Sequence, residues 1–372
     1  MPKILPALAS MAALLLAACG GAAAPNPAKS SSPVNVALQV AMNNPVQQPS
    51  IAWEWIGSYL GYYSQEGLSV NIVATSGPPD AIQRLGSGNV QVAVPPPGSI
   101  LTAASQGRDL GLISPFMIRR HDQYQFAVLQ GSSLNSAQDV ASKPIRIGVT
   151  TLADEGVIYA KAVIKEYGGD PTRYQLIPVG DIGQAATELK NHQVDALSLP
   201  SAQYTEINGS LNFKLRVLPQ TPLGDIVPGN AIWVTSAYLK AHPDVVKRYL
   251  IAFTKSLVFF LTNPKAAVEI SFHMFPATMP KGQTFAQAVD STVAQLSGNL
   301  PTLELSGLKC AQYGCNEKTA WDAYAYQYLG LSKSALPNTS KFYTNEFIQA
   351  ANNPATLQAV VTQARKFKDL TS

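Results

Sequence analysis

The side chains able to do chemistry are few and scattered. The four histidines, His121, His192, His242 and His273, stand far apart, and none has a second His or a Cys at metal-ligand spacing. No Gly-x-Ser-x-Gly elbow, phosphate-cradling glycine loop or His-Glu-x-x-His helix occurs. Cys310 and Cys315 in "KCAQYGC" form an even pair. A disulfide is their simplest use, and closing so short a loop is worth about 2 kcal/mol in the chain-entropy model. Zinc or free thiols are the alternatives, although no second ligand pair lies nearby. In "TTLADEG", Asp154 and Glu155 put two carboxylates in the first turn of a helix, where they favour its positive end. These residues predict no catalytic group, no metal and no cofactor.

Composition narrows the class. The chain has 372 residues, 46% hydrophobic and 13% charged, enough for two core-bearing lobes. A formal net charge of +4, with no basic run beyond Arg119-Arg120, leaves no electrostatic footprint for nucleic acid.

The third cysteine ends an apolar run, "LLLAACGG" (Leu14 to Gly21). From Ile4 to Ala18 this run covers about 15 residues, short of the roughly 20 that cross a bilayer, and Pro6 interrupts it. With Lys3 before it and small residues at its end it reads as a secretory signal over 1–18. Leu16-Ala17-Ala18-Cys19 resembles the lipobox of bacterial lipoproteins, which implies cleavage before Cys19 and acylation of its thiol. Residues 19–33, rich in Gly, Ala, Pro and Ser, read as a tether with a reach on the order of 20 Å. The resulting address is the outer face of a membrane, periplasmic or otherwise extracytoplasmic, with Cys310 and Cys315 in an oxidising compartment.

The elements that must position any site follow. "VNVALQVA" alternates as a strand, and Trp53 to Gln65 carries apolar residues at helical spacing up to Gly67. "LSVNIVA" is a strand, Ala81 to Leu85 a short helix and "VQVAV" a third strand, an alternation that predicts parallel pairing in an α/β lobe. The same order returns 104 residues later, with Ile72 to Val94 lying over Leu176 to Ser198 without a gap. "KPIRIGVTT" starts a second lobe, followed by a helix from Val157 to Tyr167. Beyond Ala231 helices dominate: "PDVVKRYLIAFTKSLVFFL", Ala266 to Met274, Thr319 to Tyr328 and Pro354 to Lys368, several opening on Pro. The predicted organisation is lobe one over 34–118 and 230–372, lobe two over 119–229, with crossings near Arg119 to Gln125 and Pro219 to Gly229.

"GYYSQEGLSVNIV", "AQDVASKPIRIGV" and "NHQVDALSL" together resemble the type II solute-binding proteins of ABC importers for alkanesulfonates, taurine, nitrate or thiamine pyrimidine precursors. The likeness runs from Val34 to about Phe260. Ser142 departs from the family's usual Gly, and Gln91 from its usual Asp. The resemblance implies a two-lobed α/β fold with a helical C-terminal extension. It also implies a small-molecule ligand held by a monomer, and a permease and ATPase as partners.

In open parallel sheets ligands sit beyond the carboxyl ends of the strands. That rule selects Asn43, Asn44, Thr75, Ser76, Gly77, Pro97 and Ser99 in the first lobe, and Thr150, Thr151, Asp154, Asp181 and Ser201 in the second. Trp53 and Trp55 are candidate aromatic walls, although residues two apart do not share a helix face. The hydroxyls can equally cap helices. These loops hold no Lys or Arg, which points to a neutral, cationic or heteroaromatic solute such as a pyrimidine rather than a sulfonate or nitrate. Similar fungal proteins make the thiamine pyrimidine by consuming a histidine with iron and a cysteine cluster. Nothing here matches that cluster, so the expectation is a binder and no enzyme, with a sensor lipoprotein as a further alternative.

Overall fold

The structure, a computed structural model, describes residues 35–43, 46–152, 154–180, 182–210, 214–296, 300–305 and 308–370. Cys19 with the whole signal and tether, Asn44 and Asp181 lie outside the described residues.

In chain order the strands are β1 (Val36–Ala41), β2 (Leu68–Val73), β3 (Val92–Ala93), β4 (Leu112–Met117), β5 (Tyr124–Leu129), β6 (Arg146–Val149), β7 (Gln175–Pro178), β8 (Ala196–Pro200), β9 (Leu215–Val217) and β10 (Ala231–Thr235). They form two five-stranded sheets, ordered β2-β1-β3-β10-β4 and β7-β6-β8-β5-β9. The sheets are mixed, and the parallel pairing expected for the first three strands holds for β1, β2 and β3. β1 is parallel to β2 and β3, and β6 to β7 and β8. β10 runs antiparallel to β3 and β4, as β5 does to β8 and β9. The reason is connectivity: β4 passes into β5 of the other sheet, and β9 returns through the short helix Pro222–Ile226 into β10. β5 and β10 therefore enter their sheets from the end at which the other strands leave.

The 104-residue repeat is visible in three dimensions. The helices Pro78–Gly86 and Ile182–Lys190 are offset by that spacing, and β3 matches the start of β8. Even the helix ends agree, with Gly88 N–H donating to Leu85 O and His192 N–H to Leu189 O, both at 3.1 Å.

The predicted helix over Trp53 to Gln65 is instead three short turns, Pro49–Glu54, Ile56–Tyr59 and Tyr62–Gln65. Gly61, at φ 74°, breaks the run in the left-handed region that glycine enters without steric cost. Behind the first sheet, the helix Pro243–Thr262 buries Leu250, Phe253, Leu257 and Phe260 at alternating steps of three and four, the spacing of one helix face. The helices Pro264–Met274 and Pro354–Arg365 close the same core. Among the described residues no helix is long and apolar enough to cross a membrane.

On the opposite face of the first sheet the core runs without a break into the second. Lys318–Asp322 is α-helical and Ala323–Tyr328 continues it as a π-helix. Trp321 packs edge-on against Trp233 of β10, at 5.7 Å between ring centroids, and stacks on Tyr343. Tyr324 and Tyr328 share this cluster with Tyr159 and Val163 of the helix Glu155–Glu166. A strap of chain from the last third of the sequence thus joins the cores under both sheets.

Candidate functional site

Two connections run between the sheets and hydrogen-bond to each other. Ile118 and Arg119 donate to Asn230 O, Gly229 donates to Arg119 O, and Asp122 to Gly224 O, at 2.9–3.2 Å. Beside them lies a cleft of about 710 Å³. Its walls are the first connection (Arg120, His121, Asp122), the second (Gln220, Asp225, Ile226, Pro228), Gln125 and Ser201 at the end of the second sheet, and residues from Pro301 to Trp321.

Arg120, the basic residue deepest in this wall, is engaged. Its Nη2 lies 2.6 Å from Glu317 Oε1, and its Nη1 donates to Gln312 O at 3.1 Å. Gln312 belongs to the loop closed by the Cys310–Cys315 disulfide, so this pair anchors that loop against the cleft. Arg119 points the other way. It donates to Thr302 Oγ1 at 2.5 Å and covers the Trp53 ring at 5.2 Å. It also faces buried Glu54, whose carboxyl burial pushes up to about 8 against the pull of Arg119.

Next to the cleft, three acids and three tyrosines converge. Asp122 is 6% exposed; its Oδ1 accepts the Tyr124 N–H at 2.9 Å, and its carboxyl is buried beside the Tyr328 hydroxyl, which hydrogen-bonds to it. The Tyr124 hydroxyl donates to Asp154 Oδ1 at 2.9 Å. The Tyr324 hydroxyl donates to Glu155 Oε1 at 2.5 Å. Removal from water disfavours the charged carboxylates. It pushes Asp122 up to about 7 and Glu155 up to about 8, with the negative charge of Asp122 adding to the effect on Glu155.

The residues expected from the sequence are dispersed. Ser201 alone among them lines the cleft; its N–H donates to Gln123 O at 2.8 Å. Trp53 and Trp55 both lie in the core behind the first sheet, edge-on to Phe260 and Phe275 respectively, so neither forms a cleft wall. Asn43 donates to Val94 O at 2.7 Å, and its Oδ1 is buried without a partner. Thr75 is buried, donating to Met42 O at 2.5 Å, and Gly77 opens the helix Pro78–Gly86 at φ 131°. Ser76 is tied to Asp80, Pro97 is the N-cap of the helix Gly98–Ser105, and Ser99 and Thr151 are exposed. The Thr150 carbonyl accepts the Gly180 N–H. Asp154 caps its own helix, accepting the Glu155 N–H at 2.8 Å.

Asp122, Tyr324 and Tyr328 escaped the sequence reading. One signal was present: Trp321, Tyr324 and Tyr328 in "WDAYAYQYLG" recur at steps of three and four, an aromatic stripe on one helical face. For Asp122 there was none beyond a charged cluster, "RRHD", just before an apolar strand.

Comparison with known proteins bears on the site. The profile of the family described as NMT1/THI5 like matches residues 48–267. Curated relatives named 4-amino-5-hydroxymethyl-2-methylpyrimidine phosphate synthase include one from Schizosaccharomyces pombe, 24% identical over 55% of this chain and 60% of its own length. Another, from Legionella pneumophila, is 22% identical over 61% of this chain and 69% of its own. The chain thus spans about 60% of the fission-yeast relative. The alkanesulfonate-binding protein of Xanthomonas axonopodis, solved with MOPS, has TM-score 0.57 and 15% identity, covering 84% of this chain and 99% of its own. The periplasmic nitrate-binding protein of Synechocystis has TM-score 0.56 and 12% identity, covering 88% and 92%. At such identities the likeness is one of fold, that of the periplasmic binding proteins.

The expectation that this chain is no enzyme is overturned by those relatives, whose name is that of an enzyme. Among the described residues no group of three or more His, Cys, Asp or Glu is placed to hold a metal ion. With more than half of its length matched by the family profile, the chain belongs to the NMT1/THI5-like family.

Proposed function

We propose that the protein is an extracytoplasmic solute-binding lipoprotein. It takes a small organic molecule between two lobes, 34–118 with 230–372 and 119–229, and hands it to the permease and ATPase of an ABC importer. The observation that carries this reading is the cleft of about 710 Å³ beside the two connections between the sheets, within the roughly 300–1,000 Å³ usual for small-molecule sites. Hinge closure of lobes around a ligand is how such folds turn occupancy into shape. The solute is neutral, cationic or heteroaromatic, such as a thiamine pyrimidine precursor. A sulfonate, taurine or nitrate would need a free cation within the cleft, where Arg120 is already held by Glu317 and the other lining cation, Lys309, is exposed to solvent. Of the loop residues expected from the sequence, Ser201 stands in the wall of this cleft, and acylated Cys19 anchors the monomer.

A thermal-shift screen of sulfonates, amines, aromatic acids and pyrimidines tests the binding. A ligand at a hundredfold excess over its Kd stabilises the fold by about 2.7 kcal/mol. Ile226→Trp, at an exposed position in the cleft wall, should weaken that shift and leave the unliganded melt unchanged. Cys19→Ser should release the protein from the membrane fraction, and its normal retention would remove the anchor from this account.

A second reading is favoured by the synthase names of the curated relatives. In it the same cleft holds a pyrimidine precursor for chemistry instead of hand-over. Incubation of purified protein with the solutes that shift its melting separates the two, since a binder returns them unchanged and a synthase does not.

A further inference from the structure

We propose that the second sheet carries a further small-molecule site, remote from the large cleft, which takes a small organic carboxylate with an apolar body and meets its head with Lys143 and His192. The inference is independent of the solute-binding reading.

A cavity of about 380 Å³ opens at the end of the second sheet where β5 leaves and β6 and β8 enter. The large cleft lies at the other end of β8, with Ser201 in its wall. At roughly 3.3 Å per residue, the strand from Asp195 to Ser201 puts about 20 Å between them. The volume falls within the roughly 300–1,000 Å³ usual for small-molecule sites. Its floor is apolar, because the cores on both faces of the sheet reach the surface here: Leu134 belongs to one, Leu189 and Val194 to the other. One wall, the loop after β5, is fixed in place. Arg216 of β9 donates to the carbonyls of Ser132 and Leu134, both at 2.8 Å, and to Asn135 Oδ1 at 2.5 Å. The site is thus formed before a ligand arrives.

The polar side chains of the wall suit an anion. The charge of Asp195 is met by Arg146: Oδ1 lies 2.9 Å from Nη2, and Oδ2 accepts Nε–H at 3.2 Å and the Arg146 backbone N–H at 2.9 Å. Lys143 is exposed and acts on Asp139 without a salt bridge to it, the Asp139 carboxyl accepting the Asn135 and Ser136 N–H groups. His192 is the sharper signal. Its backbone is left-handed at φ 56°, whereas the matching residue of the repeat is Gly88, which enters that region without steric cost. A Cβ at Gly88 would meet nothing within 4 Å, so backbone freedom is what that position asks for. The second copy instead holds an imidazole there, exposed in the wall of a cavity. The ring makes no hydrogen bond among the described residues, and the charge that attracts it, on Asp195, is already met. Backbone strain that the fold does not repay is characteristic of binding sites. A carboxylate over the apolar floor would accept from the Lys143 ammonium and the His192 ring N–H together.

The test is proton NMR and isothermal titration of the full chain with phenylacetate, phenylacetamide and phenethylammonium, which share a ring and differ in the charge of the head. His121 lines the large cleft and His192 this cavity, so their ring signals report the two places separately. His121→Gln and His192→Gly assign those signals. Phenylacetate is expected to move the His192 signals, to leave those of His121 in place, and to bind at least about tenfold tighter than either other probe. Lys143→Gln, at an exposed position, should weaken phenylacetate by about tenfold and leave the melting temperature unchanged. The ordering of the three probes on the unaltered chain decides the matter even if that variant folds poorly. The proposal is overturned if phenylacetate at millimolar concentration leaves the His192 signals unmoved, if phenylacetamide binds as tightly, or if Lys143→Gln binds phenylacetate as before. Movement of the His121 signals alone would place the probe in the large cleft, which supports the solute-binding reading and removes this one.

Discussion

The Tyr324 hydroxyl lies between the two sheets, donating to Glu155 Oε1 at 2.5 Å and accepting the Gly98 N–H. Gly98 opens a helix of the first sheet's layer, and Glu155 opens one of the second's. A side chain at Gly98 would crowd this contact, since its Cβ would stand 3.1 Å from the tyrosine oxygen. Tyr324→Phe keeps the ring and deletes the link, leaving a buried acid and an amide short of a partner. It should destabilise the chain by about 1–3 kcal/mol in urea unfolding, and an unchanged midpoint would show that the link carries nothing.

The buried acids set a pH dependence. Glu54 and Glu155 are held near 8 and Asp122 near 7, all above ordinary carboxylate values, and in each case burial is the leading cause. The folded chain therefore keeps protons that the unfolded chain releases. Stability is full below the ordinary carboxylate range, falls as pH rises through it, and levels off above about 8. Melting at pH 5 should exceed melting at pH 8.5, and Glu155→Gln should shrink the difference. A melting temperature that climbs over this interval would refute the assignment.

His192 stands where the repeat has Gly88. Both have left-handed backbones, at φ 56° and 78°, and His192 is the one described residue other than glycine with positive φ. That conformation costs a residue with a Cβ about 1–2 kcal/mol, while glycine adds roughly 0.5–1 kcal/mol of unfolded-state entropy. His192→Gly should therefore stabilise the chain by a few tenths to about 1 kcal/mol. Urea midpoints of the two proteins decide it, and a clear loss would mean that the imidazole makes a contact worth more than its strain.

Glu317 is the partner of a nearly buried guanidinium, the Arg120 side chain being 4% exposed. It also accepts the Cys310 N–H, tying the disulfide loop to the cleft wall. Glu317→Ala leaves that charge unpaired and should cost about 3–5 kcal/mol. The double replacement Arg120→Leu, Glu317→Leu should cost markedly less, because it removes both charges together. Equal losses for single and double variants would place the stabilisation in packing.

Much of the architecture was written in local pattern. The alternation of Val36 to Ala41, the helix closed before Gly88 and its copy before His192, and the cap at Asp154 are decided by residues within a few positions of one another. Such features follow from periodicity and turn chemistry and are legible without tertiary knowledge. The direction of β5 and β10 was not, because it depends on which sheet the chain enters next. The place of the two tryptophans was left open for a related reason: whether an indole lines a cleft or packs against chain two hundred residues away depends on packing. The site is the extreme case. Asp122, Glu155 and Tyr324 are ordinary residues in ordinary local settings, and what sets them apart is shared burial. Desolvation is a property of the surroundings, so the raised carboxyls of Asp122 and Glu155 exist only once the strap has carried Tyr324 and Tyr328 across to the second sheet.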